Sequence, residues 1–131
     1  MIPRNEFQDG GAAIIANPHP ALAKACERGF RFQYRFVQDC DWCRDLDIQV
    51  LLAQEVIASA DFTEDFNART FYNQNVMVAK EFRGQGIGPA IYLFAEKLVG
   101  RSLHNFWDGT SNGQSDEAKA MWANPERPFG R

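Results

Sequence analysis

The chain has no apolar run of the roughly 18 residues that a membrane-spanning helix requires. Its first residues, Met1-Ile-Pro-Arg-Asn-Glu, carry charge where a secretory signal would place an apolar stretch. A soluble, cytoplasmic location with no membrane partner is therefore expected. There is also no surplus of positive charge: 14 Lys and Arg stand against 17 Asp and Glu, a formal net charge of −3. Without a broad basic field nothing holds a nucleic acid backbone, so nucleic acid is not an expected partner. Cysteine is scarce and odd in number, Cys26, Cys40 and Cys43, which together with the missing signal argues for reduced thiols. Cys40-Asp-Trp-Cys43 has the spacing of half a zinc site. No second pair completes it and only His19 and His104 could help, so no metal is expected. Neither a repeat nor a linker divides the 131 residues, and residues 1–131 are expected to form one domain.

What is present is enough apolar material for a core, 45% of the chain, in patterns that change along it. The run Ala12 to Ala16 reads as a strand or a docked arm, and Pro18 and Pro20 then break the chain. Ala21 to Arg28 reads as a short helix capped by Gly29. Phe30, Phe32, Tyr34 and Phe36 alternate with polar residues at the period of a half-buried strand. A polar connection follows from Gln38 to Asp45. Leu46 to Leu52 and Val56 to Phe62 read as a hairpin, Thr63 to Arg69 as a polar loop. Thr70 to Ala79 reads as a further strand, with Tyr72, Gln74, Val76 and Val78 on one face.

The period then becomes helical. Ile87, Ala90, Ile91, Phe94, Ala95, Leu98 and Val99 form one apolar stripe, with Pro89 in the first turn and Gly100 as the end cap. Leu103 to Trp107 reads as a last strand. Ser115 to Ala123 reads as a short helix with Ser115 as its N-cap and Ala118, Met121 and Trp122 turned inward. Antiparallel strands, a strand-turn-helix unit, then a strand and a helix define an α+β, or mixed α/β, domain.

The turn between strand and helix, Arg83-Gly84-Gln85-Gly86-Ile87-Gly88, carries the chemistry. Three glycines let the backbone approach a ligand closely. The helix start leaves N–H groups without partners and adds positive potential, which suits a phosphate or pyrophosphate. The spacing is not that of a P-loop, because Pro89 and Ala90 follow, nor that of the dinucleotide fingerprint, whose third glycine stands one residue later.

From Asn75 to Val99 the chain resembles the central strand-turn-helix motif of the GNAT superfamily of acyl-CoA-dependent N-acyltransferases. Ala118-Lys-Ala-Met-Trp122 is more loosely similar to that family's C-terminal helix. The resemblance implies a mostly antiparallel twisted sheet, acetyl-CoA as cosubstrate, and an amine acceptor that is a small molecule or a protein; a homodimer stays open. Backbone groups of Met77 and Val78 would pair with the pantetheine arm. The N–H groups of Arg83, Gly84, Gln85, Gly86, Ile87 and Gly88 would hold the pyrophosphate, with the Arg83 charge beside them. The last two strands would splay near Met77, and a backbone N–H would steady the oxyanion.

The chain departs from the family at the proton-handling positions. Tyr72 and Gln74 stand where many members place a Glu or His, and Trp122 stands where the family's acid is a Tyr. An indole N–H cannot supply a proton near neutrality. Tyr72 and Gln74 are then expected to position a water or the amine, and Asp108, at the end of the last strand, to stand near the acceptor. Glu55, Asp61 and His104 are further candidates. The expected activity is acetyl transfer to a primary amine by direct attack in a ternary complex. The alternative is a non-catalytic CoA- or partner-binding module on the same fold.

Overall fold

The computed structural model describes residues 6–11, 14, 19–105 and 116–130. Five strands follow one another across a single antiparallel sheet in the order β1-β2-β3-β4-β5: Gln8–Asp9, Arg31–Cys40, Cys43–Leu52, Glu55–Asp65 and Thr70–Val78. Three helices fully within the described residues accompany it, α1 Pro20–Glu27, α2 Ile87–Val99 and α3 Asp116–Ala123. The architecture is α+β. Among the described residues no helix is long and apolar enough to cross a membrane.

The strand alternation decides where the core lies. Phe32, Leu46, Ile48, Val50, Ala58, Ala60, Phe62 and Phe71 are buried and fall on one face through the register Phe32↔Val50, Leu46↔Phe62 and Ile48↔Ala60. The α2 stripe covers that face, with the Phe94 ring 5.3 Å from Phe32. Helix α2 begins at Ile87 and ends at Gly100, whose φ of 76° is the left-handed conformation that a C-terminal glycine cap takes. Tyr92, outside the predicted stripe, is buried as well. At α1 the N-cap is His19, whose Nδ1 accepts from the Ala21 N–H at 3.1 Å.

Two segments expected to be loops are shorter turns, residues 41–42 and 66–69, flanked by strand. The polar stretch Gln38 to Asp45 is a tight turn, with β2 running to Cys40 and β3 beginning at Cys43. Thr63, Glu64 and Asp65 extend β4. Asp is a poor strand former on average, but here Asp45 and Glu64 have cross-strand partners, as does Asp47 beside them. Arg35 Nε meets Asp47 Oδ2 at 2.8 Å, and the Thr63 hydroxyl donates to Asp45 Oδ1 at 2.9 Å. The turn also joins Cys40 to Cys43 in a disulfide, so the expectation of reduced thiols fails at this pair; Cys26 is free. A two-residue reversal brings the two Cα atoms within 5.4 Å, a distance compatible with a bridge. The β3–β4 hairpin turns on Ala53 and Gln54, both at positive φ although neither is glycine.

Glu64 explains part of what holds this end of the sheet. Its buried carboxylate receives Arg44 Nε and Arg101 Nε at 2.8 Å each, joining β3, β4 and the segment after α2. Removing a partner from a fully buried pair costs about 3–5 kcal/mol. The arginines are 30% and 39% exposed, so Glu64→Ala is expected to cost about 2–3 kcal/mol, after discounting for screening. Urea denaturation checks this; a loss below about 0.5 kcal/mol would mean that solvent replaces the carboxylate.

The remaining differences lie near the ends. Gly11 and Ile14 take helical conformation, with Ile14 N–H donating to Gly10 O at 3.1 Å; the rest of the predicted Ala12 to Ala16 strand lies outside the described residues. In place of the predicted last strand there is one parallel bridge, Tyr72↔His104, where His104 N–H donates to Phe71 O at 2.7 Å. Phe106 and Trp107 lie outside the described residues, as does Ser115.

Candidate functional site

The end of β5, the glycine-rich turn, the start of α2 and the inner side of α3 enclose a cleft of about 590 Å³. Val76, Met77, Val78, Arg83, Gly84, Gly86, Ile87 and Gly88 line one side; Ala118, Ala120, Met121 and Asn124 line the other. Of the sequence-predicted cofactor residues, only Gln85 is not in the lining.

A short 3-10 turn, Lys80–Phe82, leads from β5 into the glycines. Gly84 has φ 78° and Gly86 φ 80°, a conformation that residues with a Cβ rarely take. A Cβ at either would meet nothing within 4 Å. These glycines are therefore required by backbone conformation and not by crowding within the protein. The first intrahelical bond runs from Ala90 N–H to Gly86 O at 3.1 Å. The N–H groups of Gly84, Gly86, Ile87 and Gly88 have no acceptor among the described residues. Unpaired donors at a helix N-terminus are the kind of group that proteins use to hold anions.

Two arginines brace this turn. Arg83 Nε donates to Val78 O at 3.1 Å, which fixes the guanidinium across the mouth of the turn. Arg28, at the end of α1, donates from Nη1 to Gln85 O at 3.1 Å. Nothing in the sequence pointed to Arg28, because its contact spans 57 positions. Lys80 adds an exposed positive charge.

The strand side of the cleft depends on a β-bulge. The β4–β5 register runs Ala58↔Val78, Ser59↔Met77, Ala60↔Val76 and Asp61↔Asn75, then jumps to Phe62↔Asn73, leaving Gln74 as the extra residue. Ala79 N–H donates to Ile57 O at 2.8 Å. By antiparallel alternation Met77 exchanges backbone bonds with Ser59, while Val76 and Val78 turn their N–H and C=O groups to the free edge of β5. Arg83 bonding to the Val78 carbonyl agrees with this. Val76 and Val78, and not Met77, thus turn backbone groups to the free edge, and Met77 meets the cleft with its side chain, 71% exposed.

The bulge corrects the predicted strand face. Tyr72 shares no face with Val76 and Val78: Phe71 and Asn73 point inward before the bulge, Val76 and Val78 after it, and Tyr72 lies on the opposite face. Gln74, at the bulge, donates from Nε2 to the Thr63 hydroxyl on that outer face. Neither lines the cleft. The predicted candidate Asp108 lies outside the described residues. Glu55, Asp61 and His104 do not line the cleft either; Asp61 Oδ2 accepts from Asn75 Nδ2 at 3.3 Å.

Behind the bulge is a buried polar pair that the sequence did not suggest. Asn73 Nδ2 donates to Asp61 O at 3.0 Å and to Asn75 O at 2.8 Å, and its Oδ1 accepts from the Tyr92 hydroxyl at 2.9 Å. Burial raises the pKa of the Tyr92 phenol, against a smaller lowering from a hydrogen bond with the Trp122 side chain. Trp122 itself packs edge-on against Phe129, centroids 5.0 Å apart, as a wall behind α3. Three residue types at unrelated positions meet here, and no motif spacing could have signalled it.

The cleft thus offers a row of N–H donors for an anion at one end and a strand edge for an extended chain beside it. Apolar Val76, Val78, Phe82, Ile87 and Met121 stand between them. Among the described lining residues no Asp, Glu or His is present, so the described walls can bind and orient but hold no general base. Comparison with known proteins adds no relative to this description: no family model, no curated protein and no solved structure matches the chain.

Proposed function

We propose that the protein is an N-acetyltransferase of the GNAT type, transferring an acetyl group from acetyl-CoA to a primary amine. The observation that carries this reading is the shape of the cleft, in which unpaired turn N–H groups and an open strand edge border one groove of about 590 Å³. A pyrophosphate-bearing ligand with an amide-containing arm matches both at once. The turn donors and the Arg83 charge take the pyrophosphate. The Val76 N–H and C=O and the Val78 N–H take the pantetheine amides as an added strand would. The apolar walls exclude water from the thioester.

The chemistry asked of the chain is modest. The amine nitrogen attacks the thioester carbonyl, the C–N bond forms, and the C–S bond breaks with its electron pair on sulfur. The amine proton leaves to solvent. An edge N–H of β5 donates to the carbonyl oxygen as negative charge gathers there, the role that preorganised donors perform best. The lack of a carboxylate or histidine in the described lining favours a second reading, a CoA-binding module without turnover.

Isothermal titration with CoA and acetyl-CoA is expected to give one site. An absence of binding at on the order of 1 mM ligand would remove both readings. An amine panel with detection of the released thiol then separates enzyme from binding module.

A further inference from the structure

We infer that Asn73 and Tyr92 are positioning residues, whose buried hydrogen-bond pair holds the β5 bulge and so selects which backbone groups face the cleft. This rests on the acetyl-CoA reading for its functional consequence, but its structural half stands apart from that reading.

In a strand, residues whose side chains share a face also turn their backbone groups to the same edge. Phe71 and Asn73 point inward, and Phe71 O already faces the free edge, where it accepts from His104 N–H. A regular strand would continue that series through Asn75 and Met77, putting their side chains inside and their N–H and C=O groups at the edge. The extra residue at Gln74 shifts the series, and Val76 and Val78 take both places. One bulge therefore moves two valines inward and their backbone groups into the cleft.

A bulge leaves ladder groups without their regular partners. Asn73 ties the two strands together there: both Nδ2 hydrogens go to the carbonyls of Asp61 and Asn75, which flank the bulge on its two strands. These two acceptors require the amide nitrogen on that side, leaving Oδ1 to the Tyr92 hydroxyl. Tyr92 in turn is fixed on α2 between Phe62, 5.8 Å away, and Phe129, 4.8 Å away, centroid to centroid. The helix that carries the anion-binding turn at its start thereby clamps the strand that forms the neighbouring wall. Asp at position 73 would keep the shape but present a second acceptor to two carbonyls, and Phe at position 92 would keep the ring and drop the bond.

Amide hydrogen exchange by NMR, together with acetyl-CoA titration, tests this on the whole chain. The wild type is expected to protect the Met77 amide, bonded to Ser59, and to leave Val76 and Val78 exchanging faster. Asn73→Asp and Tyr92→Phe are expected to lessen that contrast and to weaken acetyl-CoA binding at least tenfold. Phe129→Leu, which loosens the same ring but breaks no bond to the bulge, is expected to lower thermal stability and leave the exchange contrast in place. An unchanged contrast in Tyr92→Phe, or the same loss of contrast in Phe129→Leu, would overturn the inference. A wild type that fails to bind acetyl-CoA overturns the proposed function instead, while the exchange pattern of the free protein still decides whether Tyr92 holds the bulge.

Discussion

Gly86→Val is expected to weaken acetyl-CoA binding about 100-fold, which corresponds to roughly 2.7 kcal/mol. The cause lies in the backbone. At φ 80° a residue with a Cβ is strained by roughly 1–2 kcal/mol, and a β-branched side chain fits this region worst. The chain can bear that strain or rotate the turn to negative φ, and rotation redirects the N–H groups of Gly86 and Ile87. If it bears the strain, the valine branches fill the open space beside the turn, where a Cβ now meets nothing within 4 Å. Either response removes room or donors from the anion. Gly88 provides the contrast. Its φ is not in the left-handed region, and a Cβ there would rest 3.5 Å from Met121 Sδ, an ordinary contact. Gly88→Ala is therefore expected to change affinity less than about threefold and to favour the helix slightly. Lys80→Ala, which removes only an exposed and screened charge, is expected to do as little. Titration calorimetry on the three variants, with circular dichroism as a check on folding, reads the order directly. Gly86→Val binding within threefold of wild type would show that the turn does not hold the ligand.

The elements that sequence made legible are those where one local signal dominates. The α2 stripe, Pro89 and Gly100 fixed that helix almost to the residue, because burial, propensity and capping agree there. The phenylalanine alternation from Phe30 to Phe36 likewise placed β2 on the core. Strands were missed where acids carry them. Asp45, Thr63 and Glu64 look like loop residues one at a time, and become strand residues only through partners on neighbouring strands. The bulge was hidden for a different reason. Tyr72, Gln74, Val76 and Val78 read as an unbroken period of two, and only the pairing with β4 shows that the period slips at Gln74. The turn of the candidate site was readable from three glycines and an arginine. Its braces, Arg28 from α1 and Asn73 with Tyr92, are long-range contacts that leave no trace in local spacing.

That slip changes what is expected of the chemistry with pH. Between pH 7 and pH 9 the rate with a simple primary amine is expected to rise about 100-fold at saturating acetyl-CoA, with no inflection near 7. A lysine-type amine with a pKa of about 10.4 is neutral in only a small fraction at pH 7, and that fraction grows about tenfold per unit. A general base would flatten the rise by taking the proton in place of water, and such bases typically contribute 10²–10⁴-fold. The described lining of the cleft has none. Tyr92 is no substitute, because burial raises its pKa and its hydroxyl donates to Asn73. The leaving thiolate, with a pKa near 8.5, departs without an acid. Gln74→Ala is expected to leave the rate within about threefold, well short of the loss of a base, since its amide is bound to Thr63 on the outer face of the sheet. Following thiol release against pH, with the best acceptor of an amine panel, gives the profile. A clear inflection near 7 that disappears in Asp108→Asn, Glu55→Gln or His104→Gln would overturn base-free transfer and name the residue that takes the proton.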